Sequence, residues 1–447
     1  MNKLKQLLIG LSILMFLAMP LMAAGQSEAK AAAQPKSVEV WAISNPNETI
    51  IKAFDEAGAK FQEKTGIEVK YIRIPTNDFN TKLVTSISAG VYPDMIIWNT
   101  APGIAFSSTN MVQPMDAVIA EIGEDKFGEG ALKMFTSNGV LLEAPFLVRP
   151  AGLHARKSWL EKAGYDTTLK QDANGNYYME GLKTWEDILV AGKKITDIPN
   201  GKYGLGFGYS RKAFGDSAGF VFSILSSHGA RVLDDNNKVV VNTPQMRAAI
   251  DYMKRFWESG AVPAASTTWD GNSNNQFFIT GDLGIALNSN SIAAKLNNET
   301  AVKPDDLIMI PMPSGPVGSY VQANPESITV FKTKNLDSAM EYAKYLLSAE
   351  TQIEMFKTMG FGYYSPLRKD VMANELFNSL SDNEKVLMSD SAKAVGASFP
   401  GEPDARLSAL YSSFFYDDIL SRIAVDNWSV DQIVAEMEKK AKEALFD

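Results

Sequence analysis

Five consecutive pieces of residues 38–98 decide the fold: VEVWAI (38–43), TIIKAFDEAGAKFQEKT (49–65), IEVKYIRI (67–74), NDFNTKLVTSIS (77–88) and MIIW (95–98). The first, third and fifth are short and rich in β-branched and aromatic residues, and read as strands. In 49–65, Ile50, Ala53, Phe54, Ala57 and Phe61 recur at helical spacing and Gly66 follows as a stop. Residues 77–88 read as a second helix, stopped near Gly90. Strand, helix, strand, helix, strand is the order of an α/β parallel sheet with helices on both faces. In such sheets ligands bind beyond the carboxyl ends of the strands. That rule points to Trp41–Asn45 and Trp98–Pro102.

The same alternation continues downstream. Trp159–Ala163, Trp185–Ile195, Ala218–Ser226, Pro244–Ser259 and Asp337–Leu347 read as helices; in the fourth, Met246, Ala249, Ile250, Met253 and Trp257 share a face. Gly281–Leu287 and Ser327–Phe331 read as strands, and Asp172–Tyr178 and Val232–Val241 as polar hairpins. The tail, 350–447, reads as helical with a loop around Pro400–Pro403.

Residues 1–25 have the layout of a secretory signal peptide: Lys3 and Lys5, an apolar run from Leu7 to Leu21, then Ala23-Ala24-Gly25. The run is short for a membrane span, which takes about 20 residues. Residues 26–36 read as a flexible leader. There is no cysteine, so neither a lipid-bearing cysteine nor a disulfide is available. A periplasmic protein without a lipid anchor is expected. Loss of Lys3 and Lys5 with the signal takes the net charge from −9 to −11. An acidic chain without a basic run is unsuited to nucleic acid or anionic membranes. The 447 residues exceed what one core usually holds.

Several ordered motifs resemble family-1 extracellular solute-binding proteins of bacterial ABC importers, the group that includes maltose-binding protein. Phe61–Val69 is similar to the family's first helix and second strand, and Gly90–Ile96 to its G-x-x-P-D signature. Trp159–Asp166 with Thr184–Asp187 resembles the "F-x-K-A-G-hydrophobic-D … T-W-x-E" passage. Phe278–Ala286 resembles "F-x-x-G-x-A-A-M", and Lys334-Asn335, Gly360 and Ser365–Leu367 resemble the closing motifs. Two stretches depart from the pattern: His154–Lys157 stands where "Y-Y-N-K" is common, and Asn288–Ser291 where "G-x-W" is. The resemblance implies a type II periplasmic binding protein fold, with two α/β lobes joined by a multi-strand hinge. The first lobe would hold 37–147 and 312–350, the second 148–311 and 351–447. It further implies a monomer without a cofactor, which takes a small molecule, a carbohydrate by family precedent, into the interlobe cleft and delivers it to the importer's membrane subunits.

A sugar needs a flat aromatic for its C–H face and fixed polar partners for its hydroxyls. Trp41, Asn45, Trp98 and Asn99 stand at strand ends; Trp41 could stack on a sugar or pack inward. Trp269 and Asp270 fall in a polar loop without apolar periodicity, which favours ligand contact. Asn290 follows a strand, where it could bond a ligand or simply make a turn. Arg149 stands near the first lobe crossover, to clamp a ligand or pair across the hinge. Gln322–Glu326 is a polar loop before a strand; Glu326 could face the cleft or pair structurally. Of Tyr363 and Tyr364, one could stack while the other packs inward. Phe207 and Tyr209 are weaker candidates of the same kind.

Enzymatic signatures are poor. Gly215-Asp216-Ser217-Ala218-Gly219 matches the nucleophile-elbow pattern, but His228 follows too closely for the Ser…Asp/Glu…His order. A helix start with Asp216 or Ser217 near its cap is the simpler reading. A glycosidase carboxylate pair has no sequence signature. Asp172-x-Asn174-x-Asn176 begins like a calcium loop but has Tyr177 in place of the glycine. A binding protein that does no chemistry is therefore expected. A secreted hydrolase, or the same fold holding a polyol, phosphate ester or amino-acid-like solute, are the alternatives.

Overall fold

The computed structural model describes residues 36–44, 47–99, 102–149, 151–213, 215–234, 238–322, 325–391, 393–396, 403, 406–407, 410 and 413–446. The signal and leader, Asn45 and most of the Pro400–Pro403 loop lie outside the described residues. Ten strands make two sheets: β1 (Ser37–Ile43), β2 (Glu68–Ile74), β3 (Met95–Trp98), β4 (Ala144–Val148), β5 (Ala151–Arg156), β6 (Tyr203–Leu205), β7 (Leu283–Ser289), β8 (Leu307–Ile310), β9 (Glu326–Val330) and β10 (Ser365–Pro366). The helices that matter below are α1 (Glu48–Thr65), α2 (Thr76–Ser88), α3 (Trp185–Ile195), α4 (Gly215–Ser227), α5 (Pro244–Glu258), α6 (Leu336–Leu347), α7 (Ala349–Met359) and α8 (Phe415–Ala424).

The first sheet runs β10-β4-β9-β3-β1-β2. β1 is parallel to β2 and β3, as the opening pattern requires, whereas β9 is antiparallel to β3 and β4. The sheet is thus mixed, because β9 returns from the second lobe. The second sheet runs β6-β7-β5-β8, with β5 antiparallel to both neighbours.

Local signals fix the element ends. The Asn47 side chain accepts the Thr49 N–H at the start of α1, and Gly66 closes that helix at φ 74°, a left-handed conformation that glycine adopts without strain. Thr184 and Asp187 cap each other at α3. Pro244 opens α5 behind the Thr243 cap, and Met246, Ala249, Ile250 and Met253 are its buried face. The Pro93-Asp94 entry to β3 is a junction. Asp94 accepts the Glu39 N–H at 2.9 Å and the Asn335 amide at 3.1 Å, together with the Thr333 hydroxyl.

Each sheet has its own core. Val40, Phe61, Met95, Phe146, Ile328 and Tyr342 belong to the first; Leu153, Trp185, Phe207, Phe220, Phe256 and Ile285 belong to the second. The C-terminal segment divides between them, contrary to the expected assignment of 351–447 to the second lobe. Phe356, Tyr364, Leu367 and Phe377 pack into the first core, because α7 lies along α1 and β10 pairs with β4. Phe415, Ile419, Ile433 and Met437 pack into the second.

Candidate functional site

Strand direction brings both sheets to one cleft. β1, β3 and β4 end where the antiparallel β9 and β10 begin. Asn99, Arg149, Glu326 and Tyr364 therefore gather at one end of the first sheet. In the second sheet β5 begins opposite the end of β7, with Ala151 paired to Ser289 and Gly152 to Asn288. The chain crosses directly from the end of β4 to the start of β5, which brings the two sheet ends together.

A cavity of about 250 Å³ lies between them. Asn99 and Arg149 line it from the end of the first sheet; Leu287 and Asn288 line it from the second sheet and Asp216 and Ser223 from helix α4, with Met312 and Gln322 on the crossing segments. The lining combines hydrogen-bond donors, acceptors and short apolar groups, a mixture that suits a polar solute. Among the described residues its lining carries no aromatic ring.

Asp216 and Asn288 form the polar centre. The Asn288 amide nitrogen lies 3.2 Å from Asp216 Oδ2, 3.0 Å from Asn274 Oδ1 and 2.6 Å from Asn275 Oδ1. The other ends of these amides are engaged: Asn274 donates to Leu287 O, Asn275 donates to Ser291 Oγ, and Ser291 donates to Asn288 Oδ1. One amide has two N–H groups, so Asn288 cannot serve all three acceptors at once. Asp216 is the farthest of the three. Burial pushes its carboxyl up to about 7, against a hydrogen bond from Asn274 that lowers it. The group can accept from, or in its protonated form donate to, a ligand hydroxyl.

On the opposite wall Arg149 lies 3.4 Å from Glu326, which also accepts the Tyr364 hydroxyl at 2.9 Å. Burial pushes the Glu326 carboxyl up, while Arg149 and the Tyr364 hydroxyl pull it down. This chain of contacts ties β4, β9 and the start of β10 together beneath the cavity.

A family model described as bacterial extracellular solute-binding protein matches residues 56–385. The chain belongs to that family. The Escherichia coli protein YcjN, named as an ABC transporter periplasmic-binding protein, is 25% identical over 201 residues, 44% of this chain and 43% of its own length. That match spans under half of YcjN. Solved structures agree in fold. An ABC transporter solute-binding protein from Thermotoga lettingae, bound with α-D-tagatose, aligns with TM-score 0.70 and 16% identity over 92% of this chain and 100% of that one. The cyclic α-maltosyl-1,6-maltose binding protein from Arthrobacter globiformis aligns with TM-score 0.74 and 18% identity over 92% and 99%. This is the two-lobe periplasmic binding-protein fold.

In this solute-binding protein the candidate residues separate sharply. Asn99 and Arg149 line the cavity. Glu326 and Tyr364 line a hollow of about 30 Å³ within the first lobe, beside Ile43, Phe54 and Tyr71. Tyr363 stands edge-on against Tyr364 at 5.0 Å. Asn290 approaches the first lobe at Gly362, where a Cβ would meet its amide nitrogen at 2.6 Å. The tryptophans are core residues. Trp41 is 5% exposed and donates to Glu39 Oε1 at 2.8 Å, with Lys82 over its ring. Trp98 stacks on Phe79 with centroids 4.8 Å apart. Trp269, expected at the ligand, is 3% exposed and packs with Phe277, Phe278, Val302 and Leu307. Its neighbour Asp270 turns away to bind Ser273 and the Asn272 N–H. Phe207 stacks on Phe220, and the Tyr209 hydroxyl donates to Met253 O.

Sequence reasoning passed over Asp216 as a ligand group, although the nucleophile-elbow match fell on it. The usable signal was that a helix opening there, after a strand and a polar turn, faces the carboxyl ends of the sheet. Ser217 itself is fully buried and donates to Gly208 O and Ser210 O, and the His228 ring binds Ile224 O, so the two make no nucleophile–base pair.

Proposed function

We propose that this protein captures a sugar or short oligosaccharide between its lobes outside the cytoplasmic membrane and hands it to the membrane subunits of an ABC importer, with no chemical change to the ligand. The observation that carries the reading is the cavity itself: Asn99 and Arg149 face Asp216 and Asn288 across it, one pair from each lobe. A ligand that bonds both pairs stabilises a closed arrangement over an open one, which is what a closure-dependent delivery needs. The tagatose- and maltoside-binding relatives of the same fold support the choice of a sugar. Export through residues 1–25 fits the same role.

The test is isothermal titration calorimetry of the purified protein against monosaccharides, disaccharides and sugar alcohols, with mass spectrometry of any copurifying solute. Saturable binding of a sugar, recovered unchanged, is expected. Turnover of a glycoside or ester would overturn the reading in favour of a hydrolase. Binding of a phosphate ester or amino-acid-like solute alone would keep the fold and replace the ligand.

A further inference from the structure

Helix α4 presents Gly215, Gly219 and Ser223 to the cavity, four residues apart and so on one face, with Asp216 beside them. Glycine inside a helix is less stable than alanine, because its unfolded chain is freer. Other glycines of this protein are required by packing. A Cβ at Gly192 would meet Leu205 Cγ at 2.4 Å, and one at Gly204 would meet the Gly192 carbonyl at 1.8 Å. Gly219 has no such reason. Among the described residues, a Cβ there meets only Leu287 Cδ2, at an ordinary 3.9 Å, and one at Gly215 meets nothing within 4 Å. Neither glycine has positive φ. The bare strip borders two polar groups that face the cavity. Asp216 accepts from the Asn288 and Asn274 amides and, as a carboxylate, has room for a further donor. The Gln322 amide nitrogen, also in the cavity wall, is buried without a hydrogen-bond partner among the described residues.

We infer that Gly219 sets the ligand's place and size: its missing side chain leaves a flat wall on which the ring of a compact polyhydroxylated ligand lies, between Asp216 and Leu287, with a ring hydroxyl donating to Asp216. This rests on the sugar-binding reading above and makes it specific. Leu287 meets the ring's C–H face, and the helix backbone comes closer than any side chain would allow. A methyl at position 219 fills space that belongs to the ligand, not to the fold.

The experiment compares wild type, Gly219→Ala and Gly219→Leu by calorimetry with the same panel of sugars and sugar alcohols, alongside thermal unfolding without ligand. Gly219→Ala is expected to unfold at a higher temperature than wild type and to bind the preferred sugar about tenfold more weakly; Gly219→Leu is expected to fold and to lose about a hundredfold or more. Wild-type affinity in Gly219→Leu overturns the inference and leaves the sugar reading intact. So does a Gly219→Ala protein that unfolds at a lower temperature with unchanged affinity, since the glycine would then serve the fold. If no member of the panel binds wild type, the sugar reading fails and the inference falls with it.

Discussion

Burial holds the Asp216 carboxyl at about 7, well above the ordinary range of an aspartate, so it exchanges its proton near neutral pH. A ligand hydroxyl that donates to it favours the ionised form and lowers its pKa in the complex. Binding then releases a proton, and affinity rises as pH climbs toward 7 and levels off above it. Titrations between pH 5 and 8 should show this slope, and Asp216→Asn should flatten it while weakening binding by about 1.5–3 kcal/mol, the range for a hydrogen bond to a charged group. An affinity that falls with rising pH would mean that protonated Asp216 is the donor. Trp269 is the contrasting residue. Its ring fills the small core made by Phe278, Leu283, Val302 and Leu307. Trp269→Ala should cost about 3–5 kcal/mol in chemical denaturation, with ligand affinity unchanged in the folded fraction.

Elements show why some motifs could be read directly and others could not. The G-x-x-P-D motif ends in Asp94, whose carboxylate joins β1 to the turn after β9 through the Glu39 N–H, Thr333 and Asn335. Asp94→Ala removes a buried acceptor of three donors. It should destabilise the protein by about 2–4 kcal/mol in urea denaturation and leave sugar affinity intact. β1 to β3 and their helices were legible because each carries its own periodicity and its own stop, such as Gly66. Of the candidates read from the sequence, Asn99 and Arg149, which follow strand ends directly, line the cavity. Trp269 was misread because its partners are distant in sequence, Val302 and Leu307 among them, and local periodicity carries no trace of them. Asp216 was passed over because Asn274, Asn275 and Asn288 reach it only through the pairing of β7 with β5 and the helix before β7. The split of 351–447 between the cores depends likewise on β10 adding to β4, a two-residue pairing too short to leave a pattern.

At the scale of the whole molecule, the cavity's two walls belong to lobes joined by the crossings from β4 to β5, from β8 to β9 and, in the C-terminal segment, between β10 and α8. Few backbone connections therefore resist a change in the angle between lobes, while each lobe keeps its own core. Arg149 stands on the first crossing, and Glu326 on the strand that follows the second. Their contact lies beside the first crossing, whereas Asn99 and Asn288 lie on opposite walls, where a ligand held between the lobes would link them. A sugar that bonds both walls shifts the population toward the closed form by no more than its differential affinity for that form. Two measurements should then move together when the preferred sugar is added. The radius of gyration from small-angle scattering should fall, and the unfolding free energy should rise by about 2.7 kcal/mol at one hundred times the Kd. A hundredfold weaker Gly219→Leu should cut the stability gain to about 0.4 kcal/mol and the contraction to about half at the same sugar concentration. A stability gain without contraction would place the sugar on one wall alone, and the two-walled cleft would lose its role in closure.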